Sequence, residues 1–143
     1  MRLVVGTNVF VGALLSQRGN NREVLRACLI GKAIPLFGTA LFNEYEDLLG
    51  RSDLFAKSIL VEDERQAMLD SFIGVSEWVK IYCRWRPNLS DQADNHLMEL
   101  AVAGGAEAIV TDNFRDFNSG ELGFPSIRIL NPKQFLEQIS WPL

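Results

Sequence analysis

The chain is 143 residues long, 48% hydrophobic and 22% charged, with 11 Gly and 5 Pro, the make-up of one ordinary globular domain over 1–143, which excludes disordered, collagen-like and low-complexity chains. A net charge of −4 and a pI near 5.0 exclude a protein that holds nucleic acid by bulk positive charge and leave room only for a local basic groove. No run approaches the roughly 18 apolar residues of a membrane span, and Cys28 and Cys83 stand at no metal-ligand spacing, so the expectation is a cytoplasmic protein with reduced thiols.

In chain order, Leu3-Val4-Val5 is a short β-prone run ended by Gly6-Thr7-Asn8, after which Val9, Phe10, Val11, Ala13, Leu14 and Leu15 crowd too densely for a helix with one wet face. The prediction is a buried strand, a turn and a largely buried helix. Asn20 or Asn21 caps a second helix over Val24, Leu25, Ala27, Cys28 and Leu29, which Gly31 stops before a second strand at 33–37. Thr39 caps a third helix, whose apolar Leu41, Phe42, Tyr45, Leu48 and Leu49 leave Glu44, Glu46 and Asp47 on the other faces.

Residues 51–74 read as helical and charged, with an apolar stripe through Leu54, Phe55, Ile59, Leu60, Leu69 and Phe72, followed by a third strand at 78–82. After a Pro87 loop, 91–102 is a helix with Leu97, Met98 and Leu100 inward and Gly104-Gly105 as its stop. A buried strand at 108–111, a turn-rich stretch at 112–125 and a last strand at 127–130 lead to a final helix opened by Asn131-Pro132.

Strands alternating with helices imply a mostly parallel sheet in a three-layer α/β/α arrangement, since parallel neighbours need right-handed helical crossovers. Ligands in such sheets sit beyond the carboxyl ends of the strands. Polar residues fall at that edge: Gly6-Thr7-Asn8 after the first strand, and Thr111-Asp112-Asn113 with Asp116 after the fourth. Asp91 and Asp94 open the helix before the fourth strand, and Glu44 lies on the helix after the second. Acids that meet in one pocket repel each other until they hold protons or a hard cation, and oxygen ligands suit Mg²⁺ or Mn²⁺. Each acid alone has a plainer use: Asp91 and Asp94 at a helix start, Glu44 in solvent, Asp112 and Asp116 in turns.

Four segments in this order resemble PIN-domain proteins, and within them VapC-like toxin ribonucleases, across nearly the whole chain. They are Arg2-Leu3-Val4-Val5-Gly6-Thr7-Asn8-Val9-Phe10, Leu41-Phe42-Asn43-Glu44-Tyr45-Glu46, Asp91-Gln92-Ala93-Asp94-Asn95 with Leu97-Met98-Glu99-Leu100-Ala101, and 109–117 with Thr111-Asp112-Asn113 and Asp116. The resemblance implies a PIN-like fold, a Mg²⁺ or Mn²⁺ site of three or four acids, endonucleolytic cleavage of RNA, a cognate antitoxin protein and a homodimer. It places Glu44, Asp94 and Asp116 as catalytic acids and metal ligands. Asp112, Asn113 and Asp116 straddle the last ligand position, and Asp116 is the favoured one.

The departure is at the start: the family opens with Asp-Thr-Asn, and this chain has Gly6. One coordinating oxygen and one negative charge are missing from the middle of the implied metal site, so metal affinity and water activation are expected to fall. The alternative is a non-catalytic protein that binds antitoxin or RNA without cutting. Thr7 is placed to bond a ligand carboxylate or a substrate phosphate, and Asn8 to orient the loop or cap the helix. His96, the one histidine, follows Asp94 by two residues and points away from it on a helix, so the expectation is a surface or packing role. Arg84-Trp85-Arg86, with Arg18, Arg22, Arg51 and Arg115, offers contacts to RNA phosphates and bases.

Overall fold

Leu3, Val4 and Val5 are buried in the first strand of a parallel sheet, as their unbroken apolar run requires of a strand covered on both faces. The structure, a computed structural model, describes residues 1–15, 19–51, 53–56, 60–81, 92–112 and 127–141, with backbone only at 92–95. The elements are β1 (Arg2–Val5), α1 (Thr7–Leu15), α2 (Asn20–Leu29), β2 (Ile34–Phe37), α3 (Thr39–Leu49), α4 (Glu62–Gly74), β3 (Glu77–Trp78), α5 (Gln92–Gly104), β4 (Ala108–Val110), β5 (Arg128–Leu130) and α6 (Pro132–Gln138). The five strands run parallel in the order β3-β2-β1-β4-β5. The chain builds outward from β1 in one direction and then returns to build in the other, which puts the switch point between the ends of β1 and β4.

Helices flank this sheet: α5 packs across β1, β2 and β4, while α1 to α4 and α6 pack among themselves. Phe10 of α1, Phe37 of β2, Tyr45 of α3 and Phe72 of α4 join in one ring cluster, with centroids 4.9 Å apart for Phe10–Tyr45 and Phe37–Tyr45. Each such pair adds about 0.5–1.5 kcal/mol beyond its buried area. The Tyr45 hydroxyl donates to the Val5 carbonyl at 2.7 Å, so the cluster also pins α3 to the end of β1. Gly31 and Gly105, at φ +88° and +67°, end α2 and α5 in the left-handed region that only glycine enters freely.

Several boundaries differ from expectation. The helix expected over 51–74 begins only at Glu62, where Glu62, Asp63 and Glu64 meet the helix dipole and the Glu64 side chain accepts from the Val61 N–H at 3.1 Å; residues 53–56 form turns. Phe55 still reaches the core, with the Arg65 guanidinium 4.4 Å from its ring centre. The cap expected at Thr39 falls one residue earlier, at Gly38, and that expected at Asn20 or Asn21 falls at Gly19, because the Gly38 and Gly19 carbonyls already accept the first helical bonds. Likewise α1 begins at Thr7, so Asn8 is an exposed helical residue and no cap. The third strand, expected at 78–82, is Glu77–Trp78: it begins one residue earlier and ends at Trp78, although Val79 N–H still bonds the Phe37 carbonyl. Asn131 does cap α6, accepting from Gln134 N–H at 2.7 Å, with Pro132 in the first turn. Cys83, Asp91, the 84–86 triplet, Arg18, Ile59 and Arg115 lie outside the described residues.

Candidate active site at the switch point

The periodicity of α3 fixes where Glu44 goes. Leu41, Tyr45 and Leu49 form the buried stripe, and with Tyr45 locked in the ring cluster its neighbour Glu44 emerges at the edge of the sheet beside the start of α1. There the Thr7 hydroxyl, itself buried, donates to Glu44 Oε1 at 2.6 Å. The other oxygen, Oε2, is 2.8 Å from His96 Nε2 on α5. Three helices thus meet on one half-buried carboxylate. The His96 N–H and, after it, the Thr7 hydroxyl hold the Glu44 carboxyl below its usual pKa, against burial, which pulls the other way. With the folded value depressed, this stabilisation is present above the unfolded pKa and lost as pH falls through the folded one.

His96 corrects the sequence reading. Counting along one helix placed it away from Asp94, but its partner comes from a different helix, across the α3–α5 packing. The ring is only 20% exposed, and its Nδ1 is buried with no hydrogen-bond partner among the described residues. No spacing rule within the sequence signals this pair.

Gly6 lies at the centre of the same edge. It is buried, its N–H donates to the Val110 carbonyl at 2.8 Å, and its φ is not in the left-handed region. A Cβ built there would stand 3.3 Å from Thr111 Oγ1 and 3.4 Å from the Val110 carbonyl oxygen. A side chain at position 6 therefore requires Thr111 and the Val110 carbonyl to give by a few tenths of an ångström, while the backbone torsions themselves do not demand glycine.

The remaining candidates divide. Asp112 is exposed and lines a polar hollow of about 450 Å³ with Gly12, Asn20, Asn21, Asn131 and Lys133, a lining that does not include Glu44. Asp94 belongs to the first turn of α5, two residues before His96, and its side chain lies outside the described residues, as do Asp91, Asn113 and Asp116. Among the described residues no three carboxylates, histidines or cysteines gather as metal ligands. Glu44 suits a hard cation in kind, an ionised oxygen donor with a lone pair left on each oxygen. In number the described donors fall short, and Gly6 contributes none.

A groove of about 550 Å³ is lined by Thr39 and Asn43 of α3, the latter the residue before Glu44 in the chain, and by Trp78, Lys80 and Glu99. Trp78 is 48% exposed, with its ring 5.9 Å from that of Phe42. That an open aromatic face and a lysine share one groove has no signal in the sequence, where Trp78 reads as one more strand residue.

The sequence profile of the PIN domain matches residues 2–115. The chain belongs to the PIN-domain family. Among solved structures the PIN fold recurs in the crystal structure of VapBC2 from Rickettsia felis bound to a DNA fragment from their promoter, with a TM-score of 0.60 and 17% identity over 92% of this chain and 98% of that one. A comparison with curated proteins finds none that matches. The five-stranded parallel sheet is thus a PIN-like sheet, and Glu44 sits where this PIN domain brings its helices together. No described helix is long and apolar enough to cross a membrane.

Proposed function

We propose that this PIN domain is a toxin-type, Mg²⁺- or Mn²⁺-dependent endoribonuclease whose activity is impaired by Gly6. The observation that carries the reading is Glu44: a carboxylate held ionised by two donors at the sheet's switch point, one of them Thr7, next in the chain to the position where an aspartate would join it. Glu44, Asp94 and Asp116 are the acids assigned to the ion and to catalysis, with Asp112 and Asn113 as alternatives for the last place. When bound, the ion supplies charge neutralisation at the scissile phosphate and a more acidic water. The chain's own part is to orient Glu44 through Thr7, to bring Asp94 in on the first turn of α5, and to receive RNA. The open ring of Trp78 and the ammonium of Lys80 suit one unpaired base and its phosphate. Gly6 leaves this apparatus one oxygen short.

The likeness to VapBC2 supports an antitoxin protein as partner, and the family resemblance supports a homodimer in the cytoplasm. The test is Gly6→Asp. Cleavage of single-stranded RNA in Mn²⁺ is expected to appear in this variant and to vanish again on adding Glu44→Ala or Asp94→Ala. Continued inertness would favour the second reading, a PIN domain that binds antitoxin or RNA without cutting, for which the missing oxygen at position 6 is the supporting observation.

A further inference from the structure

We infer that His96 is a positioning residue: its Nε2–H bond to Glu44 Oε2, acting against the Thr7 bond to Oε1, locks that carboxylate in one orientation at the switch point. The inference rests on the proposed role of Glu44 as a ligand, and its structural half stands without it. A glutamate reaching out from a helix normally samples several rotamers. Here the two oxygens are claimed from opposite sides, by α1 at 2.6 Å and by α5 at 2.8 Å. The free rotation of the carboxylate is thereby removed while each oxygen keeps one lone pair for a further contact.

The imidazole is in turn directed by Glu44. His96 is mostly buried, and with Nδ1 unpartnered among the described residues its polar anchor there is the Glu44 oxygen. Leu97 and Leu100, on the same helix, are buried in the core, so α5 cannot rotate to swing the ring away. A side chain placed only for packing would not aim its N–H at the one carboxylate of the rim that also receives Thr7. Groups that orient ligands in this way typically change metal affinity by roughly 10–100-fold when removed.

The chain has one histidine, which makes the imidazole directly visible. In the unaltered chain, ¹⁵N-labelled at histidine, the Nε2–H proton is expected to be observable and slow to exchange, and Glu44→Gln is expected to shift its resonance and speed its exchange. An Nε2–H exchanging at the solvent rate, or one untouched by Glu44→Gln in a folded chain, would overturn the inference. This arm needs neither metal nor RNA. The second arm uses Mn²⁺ as probe in the Gly6→Asp background. His96→Phe is expected to weaken Mn²⁺ binding by about tenfold, and His96→Gln, which returns an N–H at the same reach, to recover most of it. Equal binding in all three, or equal loss in Phe and Gln at unchanged thermal stability, would contradict positioning by the hydrogen bond. Absence of Mn²⁺ binding in Gly6→Asp itself would count against the nuclease reading, while the histidine spectrum still decides the role of His96.

Discussion

Two carboxylates of this molecule, Glu44 and Asp112, are held differently. Glu44 follows the packing of its neighbour Tyr45 against Phe10 and Phe37, and its carboxylate is half-buried and bonded by side chains from two other helices. Asp112 is exposed and lines a polar hollow near the starts of α2 and α6. At Glu44, neighbours far apart in the chain dictate the geometry of an ionised group; Asp112 stands in solvent beyond the end of β4. Ionised groups that are desolvated and aimed are the ones from which sites are assembled, because water screens the others and leaves them free to move.

Substitutions can break or sharpen this contrast. The largest effect is expected beneath Glu44: Tyr45→Ala removes a fully buried ring from the cluster and the bond to Val5, and chemical denaturation should register a loss of about 3–5 kcal/mol. Next comes the direct comparison of the two acids. Glu44→Ala strands the Thr7 hydroxyl and the His96 N–H and is expected to cost about 1–2 kcal/mol, whereas Asp112→Ala should stay within about 0.5 kcal/mol. If the two losses came out equal, the distinction between the two carboxylates would fail. At the Asp112 side, Asn131→Ala removes the α6 cap and is expected to lower stability by about 1 kcal/mol, read from the shift in denaturation midpoint.

The smallest and most diffuse effect concerns alkali. Burial pushes the Cys28 thiol up to about 12 and holds the Tyr45 hydroxyl well above its ordinary value. Groups with raised folded pKa values leave stability intact below their unfolded values and erode it as pH climbs through the folded ones. The denaturation midpoint should therefore be level from pH 7 to 8.5 and decline beyond about pH 9. A chain equally stable at pH 7 and 11 would show that neither group is sealed in the core.

Much of the fold was legible in the residues. Leu3-Val4-Val5 before Gly6 gives a buried strand because nothing polar interrupts it, and Asn131-Pro132 gives a helix start because both residues fit the capping geometry. The location of Glu44 was legible too, since the Leu41–Tyr45–Leu49 stripe leaves it on another face. What was hidden is what depends on tertiary approach. The start of α4 is decided by three acids at a dipole against a long stretch of helix-compatible residues, and the His96 contact by the crossing of two helices that no spacing along one of them encodes.

The claim on which the account turns is that the rim around Glu44 is an oxygen site lacking one member. Calorimetric titration of Mn²⁺ into the Gly6→Asp chain tests it most directly. Saturable binding, much tighter than in the unaltered chain and lost again in Gly6→Asp with Glu44→Ala, is the predicted result. A folded Gly6→Asp chain that takes up Mn²⁺ no better than the unaltered protein, or one whose binding ignores the loss of Glu44, would contradict it.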